Sequence, residues 1–197
     1  ASNTAVGDRC FDVNTTGTRN TGLGQGAGGG NTTGSDNTFI GEVAGYSNTT
    51  GINNIALGKG ALGANTTGSH NIGIGNTSLA VNTTGDQNVA LGYKALQDHT
   101  GSYTVALGSQ ALTNNTTGGS NVAVGFRALQ TNTTANYNVA IGYDALYTNN
   151  GSNNTAVGHS VLYANTTGGK NTAIGYQALD ANTTASSNTA IGYDALG

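Results

Sequence analysis

The chain has 197 residues, of which 36% are hydrophobic, 8% charged and 6% aromatic, with 33 Gly and no Pro, Met or Trp. Low hydrophobicity without many charges or Pro does not describe a disordered chain. A net charge of −3, with basic residues scattered at Arg9, Arg19, Lys59, Lys94, Arg127 and Lys170, gives no footprint for nucleic acid, and no apolar run approaches the roughly 18 residues needed to cross a bilayer.

Ala1 is not a translation start, so the chain is expected to be processed or cut from something longer. The single Cys10 cannot close an internal disulfide. What remains is a repeat, which overrides any prior on domain number from length. Aligned on the phrase Asn-x-x-x-Gly, the first positions fall at Asn3, Asn20, Asn37, Asn54, Asn71, Asn88, Thr104, Asn121, Asn138, Asn154, Asn171 and Asn188. The spacing is 17 residues, shortened to 16 after Asn88 and after Asn138. Residues 1–197 therefore read as one domain of eleven complete repeats and the start of a twelfth.

Each column of the repeat has its own chemistry. Position four is always a large aliphatic: Val6, Leu23, Ile40, Leu57, Ile74, Leu91, Leu107, Val124, Ile141, Val157, Ile174 and Ile191. Position two is Thr, Val or Ile, so both columns favour a strand, point the same way and are expected to face the core. Between them position three is Ala or Gly in every repeat except at Phe39, which requires something to approach that face closely. Position five is Gly throughout, a bend or close backbone contact. A second short segment has a small residue at position eight, such as Ala95, Ala111 or Ala178. It continues with Leu at position nine from Leu62 onward, and Leu96, Leu112, Leu129, Leu146, Leu162 and Leu179 complete the expected core ladder.

Positions twelve to fifteen read Asn-Thr-Thr-Gly or a near relative, a second corner. Both short repeats lose their residue here, at His99-Thr100-Gly101 and Asn149-Asn150-Gly151, and deletions are tolerated in loops. A helix would be broken by these residues in every repeat. The predicted fold is therefore all-β, a parallel β-solenoid or β-roll of 17-residue coils with two short strands per coil, each coil burying its apolar residues only against its neighbours. Repeats two and three carry Gly28 and Gly45 in place of the Leu, so the N-terminal coils are expected to be thinner and looser. At position six Tyr93, Phe126, Tyr143, Tyr176 and Tyr193 should stack into a broken ladder.

The phrases Asn138-Val139-Ala140-Ile141-Gly142 and Asn188-Thr189-Ala190-Ile191-Gly192 resemble the head repeats of trimeric autotransporter adhesins, whose coil is shorter. The longer phrase that runs on through Tyr-x-Ala-Leu to Asn-Thr-Thr is similar to repeats of phage tail fibres and bacterial surface proteins. The resemblance spans the whole chain. It implies a left-handed roll, three chains side by side, and a role in attachment or as a shaft.

Sites of chemistry are scarce. Gly24-Gln25-Gly26-Ala27-Gly28-Gly29 matches a nucleotide-binding glycine pattern, but Gly24 belongs to the position-five column and no βαβ unit surrounds it. His70, His99 and His159 stand in three different columns, so no metal ladder is expected. Asp8, Asp12, Asp144 and Asp194 are read as solubilising, and Cys10 as packing like the Ala of its column. No cofactor and no enzymatic activity are expected. The triplets at Asn14, Asn31, Asn48, Asn65, Asn82, Asn115, Asn132, Asn165 and Asn182 are N-glycosylation sequons on corners, residues a corner also needs for its own sake.

The functional expectation is a structural or adhesive fibre component outside the cell or on a cell or virion surface. Because no capping coil is visible at either end, stacking head to tail into a filament, or membership of a longer shaft of one or three chains, is expected. Its partners would be copies of itself and a host or surface glycan. The alternative is an ice-binding or carbohydrate-binding solenoid, motivated by the Thr ladders.

Overall fold

The computed structural model describes residues 2–197. The extended elements are twelve strands of three residues each. They are β1 (Thr4–Val6), β2 (Thr21–Leu23), β3 (Thr38–Ile40), β4 (Ile55–Leu57), β5 (Ile72–Ile74), β6 (Val89–Leu91), β7 (Val105–Leu107), β8 (Val122–Val124), β9 (Val139–Ile141), β10 (Thr155–Val157), β11 (Thr172–Ile174) and β12 (Thr189–Ile191). They form one parallel sheet in sequence order, with like position on like position, as in Ala156 against Ala173. The register survives both short repeats, where Val89 stands against Val105 and Val139 against Thr155. The corner thus absorbs each deletion and the strands do not shift. The chain is an all-β parallel solenoid, and at a strand spacing of about 4.8 Å the stack is on the order of 55 Å long.

The core lies on the opposite side of the sheet from the expected one. Ala56, Ala90, Ala106, Ala123, Ala140, Ala156 and Ala173, all at position three, are completely buried. Position four faces outward: Leu57 is 40% exposed, Leu91 44%, Ile141 40%, Ile174 38% and Ile191 69%. Ile40, Ile74, Leu107, Val124 and Val157 are only half-buried, so this column does not form the core ladder assigned to it. The reason is the thinness of the coil. A Cβ on Gly73 would stand 3.2 Å from Ser78 Oγ and 3.4 Å from the Leu62 side chain, so the opposite wall reaches the sheet and leaves space for little more than a methyl group. The partner that approaches position three is the chain's own position-nine column. Leu96, Leu112, Leu129, Leu146 and Leu162 are fully buried and Leu179 is 4% exposed. Each such Leu contributes about 1.5–3 kcal/mol through its burial.

The wall that carries these Leu is hydrogen-bonded from coil to coil but is not extended. Positions seven and nine take positive φ, as in Lys94 (57°) and Leu96 (51°), so the segment runs through successive turns. Leu96 N–H donates to Ala111 C=O of the following coil (3.0 Å), while Ala95 N–H closes a turn on Gly92 C=O (3.2 Å). The left-handed region costs a residue with a side chain roughly 1–2 kcal/mol. The ladders and the buried Leu must therefore over-determine this conformation.

Glycine at position five has a direct cause. Gly58 has φ of 130°, and a Cβ there would stand 2.7 Å from the carbonyl of Gly75 in the next coil. The N-terminal coils, expected to be loose, are filled by two aromatic rings. Phe11 at position nine and Phe39 at position three are 8% and 1% exposed, with ring centroids 6.1 Å apart. Gly22, Gly28 and Gly45 are the small residues opposite: a Cβ on Gly28 would collide with both rings, and one on Gly45 with Phe39. The Leu lost at Gly28 is replaced by Phe11 and Phe39 of the two flanking coils, and the Leu lost at Gly45 by Phe39 of the same coil.

Two ladders of buried asparagine hold the corners together. At position one Asn54 Oδ1 accepts from Asn71 N–H (2.9 Å), and Asn54 Nδ2 donates to Gly68 C=O (2.8 Å). At position twelve Asn65 Nδ2 donates to Asn48 Oδ1 (2.8 Å) and to the same Gly68 C=O (2.9 Å). One corner carbonyl thus receives both columns, and each amide satisfies polar groups that burial would otherwise strand.

Candidate functional site

No group of three or more His, Cys, Asp or Glu that could hold a metal ion occurs among the described residues. His70 is exposed, His159 lies in an aromatic stack, and His99 is buried in a corner. Burial pushes the Cys10 thiol above its ordinary pKa, which disfavours the nucleophilic thiolate. The glycine run that matches a nucleotide motif opens no helix; Gly28 makes room for the two phenylalanines.

The Asn-Thr-Thr sequons are mostly inaccessible, whereas Asn76, Asn114, Asn150 and Asn153, which also head Asn-x-Ser/Thr triplets, are exposed. Asn31, Asn48, Asn65, Asn82, Asn115, Asn132 and Asn165 are buried, and their amide nitrogens bind neighbouring coils as described for Asn65. A glycan on such a nitrogen would displace a ladder hydrogen and require the corner to open. Of the nine Asn-Thr-Thr sites, only Asn14 and Asn182 are half-buried. The Thr ladder at position thirteen is also engaged internally: Thr32 Oγ1 donates to Thr49 C=O (3.0 Å) and Thr49 Oγ1 to Thr66 C=O (2.9 Å).

His99 replaces asparagine in the position-twelve column of the first short repeat. Its Nδ1 stands 2.8 Å from Asn115 Nδ2, which can only donate, so the ring proton sits on Nε2, a buried atom without a partner. Burial lowers the His99 pKa to about 4. The ladder is interrupted at both deletions. Asn82 Oδ1 accepts from its own corner at Gly85 N–H, and Asn132 Oδ1 has no partner.

The largest distinctive surface is the outward face of the sheet. Positions two and four of all twelve strands project from it, so two parallel columns of Thr, Val, Ile and Leu run the full length of the rod. Beside them the position-six ladder is continuous over five coils. Phe126, Tyr143, His159, Tyr176 and Tyr193 stack with centroid spacings of 5.3, 5.0, 5.2 and 5.1 Å. The sequence reading missed His159, a flat ring in the right column that fills the break expected there. A second stack, Tyr147 on Tyr163 at 5.2 Å, stands at position ten. The Arg127 guanidinium lies 5.0 Å from the Phe126 ring and 5.1 Å from the Tyr147 ring, clamped to Asp144 through Nε–Oδ1 at 2.8 Å. Its hydrogen bonds to Asp144 raise the Arg127 pKa above the ordinary range.

Each ion pair joins one column across adjacent coils: Arg127 to Asp144 at position seven, Lys59 to Glu42 at position six, and Arg19 to Asp36 at position seventeen. That pairing could have been read from the alignment, because residues seventeen apart are stacked. In comparisons with protein-family models, curated proteins and solved structures, none matched this chain.

Proposed function

We propose that the chain is a structural and adhesive rod of an extracellular or surface fibre, and that copies of it associate along the outward face of the sheet. The observation that carries this reading is the outward placement of one unbroken column of large aliphatic residues at position four, beside a column of Thr, Val and Ile at position two, along a parallel, in-register sheet. With strands about 4.8 Å apart and three residues of roughly 3.3 Å each, the face covers on the order of 600 Å². This reaches the upper end of the apolar patches of roughly 300–600 Å² that monomers expose, and the flanking rings extend it toward the roughly 800 Å² per partner of a stable interface. The absence of a basic patch and of a metal cluster among the described residues leaves this face as the main candidate for recognition. Copies of the same chain share its period, so their side-chain columns can mesh along the whole length.

Light scattering during size-exclusion chromatography tests the proposal. The wild type is expected to run as an oligomer or a filament, and the variant Leu57→Lys/Leu91→Lys/Ile141→Lys as a monomer with unchanged far-ultraviolet circular dichroism. A wild type that stays monomeric at high micromolar concentration refutes lateral association.

A further inference from the structure

On the turn-built wall, away from the outward sheet face, the second coil has lost its side chains at three outward positions. Gly26, Gly29 and Gly30 stand where the first coil carries Arg9, Asp12 and Val13 and the third carries Val43, Tyr46 and Ser47. The result is a notch one coil wide, with a volume of about 220 Å³, lined by Arg9, Asp12, Val13, Tyr46 and Ser47 over a floor of Gly29 and Gly30. The Tyr46 ring leans over that floor: a Cβ on Gly29 would stand 3.0 Å from it and one on Gly26 3.3 Å.

The notch is also where the wall's ladder opens. From Gly30 to Ala164, every position-eleven N–H donates to the position-ten carbonyl of the next coil, as in Gly30 to Tyr46 (2.7 Å) and Ser47 to Gly63 (3.0 Å). Val13 and Gly29, which both line the notch, do not make this bond, so the Val13 N–H and the Gly29 C=O lack each other as partners. Neither Arg9 nor Asp12 belongs to an ion pair among the described residues.

We infer that this notch binds a single ring of a neutral saccharide. The Tyr46 ring and Val13 offer an apolar surface to the C–H face of a sugar. Asp12 and the Gly29 carbonyl accept from hydroxyls, and Arg9 and the Val13 N–H donate to them. The charges of Arg9 and Asp12 cancel, which disfavours an anion or a cation as occupant. The volume lies below the roughly 300–1,000 Å³ of pockets for drug-sized ligands, so it takes one ring of a glycan, with a dissociation constant on the order of 1 mM. The inference holds whether or not rods associate through the sheet face.

Saturation-transfer difference NMR on the whole chain, which works for a monomer or an assembly alike, tests it with methyl β-glucoside, N-acetylglucosamine and glucuronate. At least one neutral sugar is expected to give a saturable signal that Tyr46→Ala abolishes and Asp12→Asn weakens about tenfold through loss of a charged acceptor. Tyr137→Ala, at an exposed tyrosine elsewhere, should leave it unchanged. Asp12 is exposed, so Asp12→Asn reads the site even if Tyr46→Ala disturbs the coil. The inference is overturned by a signal that survives both notch variants, by binding of glucuronate alone, or by no signal from any of the three sugars. Light scattering on the same samples reports lateral association separately.

Discussion

His99 makes one corner of the rod sensitive to acid, and the size of the effect follows from its surroundings. The side chain is completely buried and receives one hydrogen bond from Asn115, and its pKa falls from 6.5 to about 4 because burial penalises the charged ring. The nearest acid in sequence, Asp98, lies outside the ion pairs of the rod. A depressed histidine pKa means that the unfolded state binds the proton first. Stability is unaffected above pH 6.5, declines as the pH falls through the interval from 6.5 to about 4, and reaches its full loss below it. The full loss is about 3 kcal/mol, and at pH 4.5 about 2.5 kcal/mol.

The matching perturbation is His99→Asn, which copies the other short coil. There Asn149 accepts from Asn165 Nδ2 at 2.6 Å and donates to Gly151 C=O at 2.8 Å, leaving no titratable group inside. Urea unfolding of both proteins at pH 7 and pH 4.5, followed by amide exchange around Leu96 and Leu112, reads the difference. The variant is expected to be at least as stable at pH 7, since it removes the unpartnered Nε2–H, and to lose about 2.5 kcal/mol less on acidification. Carboxylates such as Asp36, whose pKa Arg19 lowers, contribute to acid sensitivity in both proteins and cancel in the comparison. Equal pH dependence of the two proteins would refute the account of His99 as a buried neutral ring.

The two faces of the sheet should respond oppositely to truncation. Leu129→Ala is expected to cost about 2–4 kcal/mol and Ile141→Ala under about 1 kcal/mol in a monomeric sample; denaturant unfolding giving the reverse order would restore the core to the aliphatic face. Gly142→Ala places a methyl group against the Gly158 carbonyl at φ of 142° and should cost about 3 kcal/mol. Gly63→Ala, where the nearest atom a Cβ meets is 3.2 Å away, should cost under about 1 kcal/mol in the same assay. Secreted from a glycosylating host, the folded chain is expected to carry no glycan at the seven buried Asn-Thr-Thr sites and to accept glycans only at half-buried Asn14 and Asn182 and at the exposed sequons Asn76-Thr77-Ser78, Asn114-Asn115-Thr116, Asn150-Gly151-Ser152 and Asn153-Asn154-Thr155, which peptide mapping would show.

The period was legible because every coil repeats the same contacts, and the corner was legible because both deletions fall in it. Which face of the strand is buried was not. A three-residue strand reading aliphatic-small-aliphatic obeys alternation with either face inward, and the larger residues take the core by default. The deciding fact is the position of the far wall, set by positive-φ turns at positions seven and nine that a Leu or Lys does not announce. Glycine at position nine of coils two and three suggested looseness for a related reason. Phe11 and Phe39 compensate within and across coils, and that compensation appears only once position three is known to face position nine of its own coil and of the adjacent one. The asparagine columns gave no sign of burial, because Asn serves a solvated turn as readily as a buried ladder.

The chemistry of the outward columns bears on what the rod is for. Other outward positions vary freely: position six holds Asp8, Gln25, Glu42, Lys59, Asn76 and Tyr93, and position seventeen Arg19, Asp36, His70 and Lys170. Positions two and four point outward as well, yet neither contains a charged residue in any coil. Strand propensity accounts for Thr, Val and Ile at position two. It does not account for Leu23, Leu57, Leu91 and Leu107 at position four, because leucine is not a β-branched or aromatic strand former. A solvated face would gain from Thr or Lys there, which would also discourage unwanted association. Leucine on the exposed side of the sheet is what the proposed association would cover, and this column, more than the interior, is the reason for proposing assembly through the side of the rod.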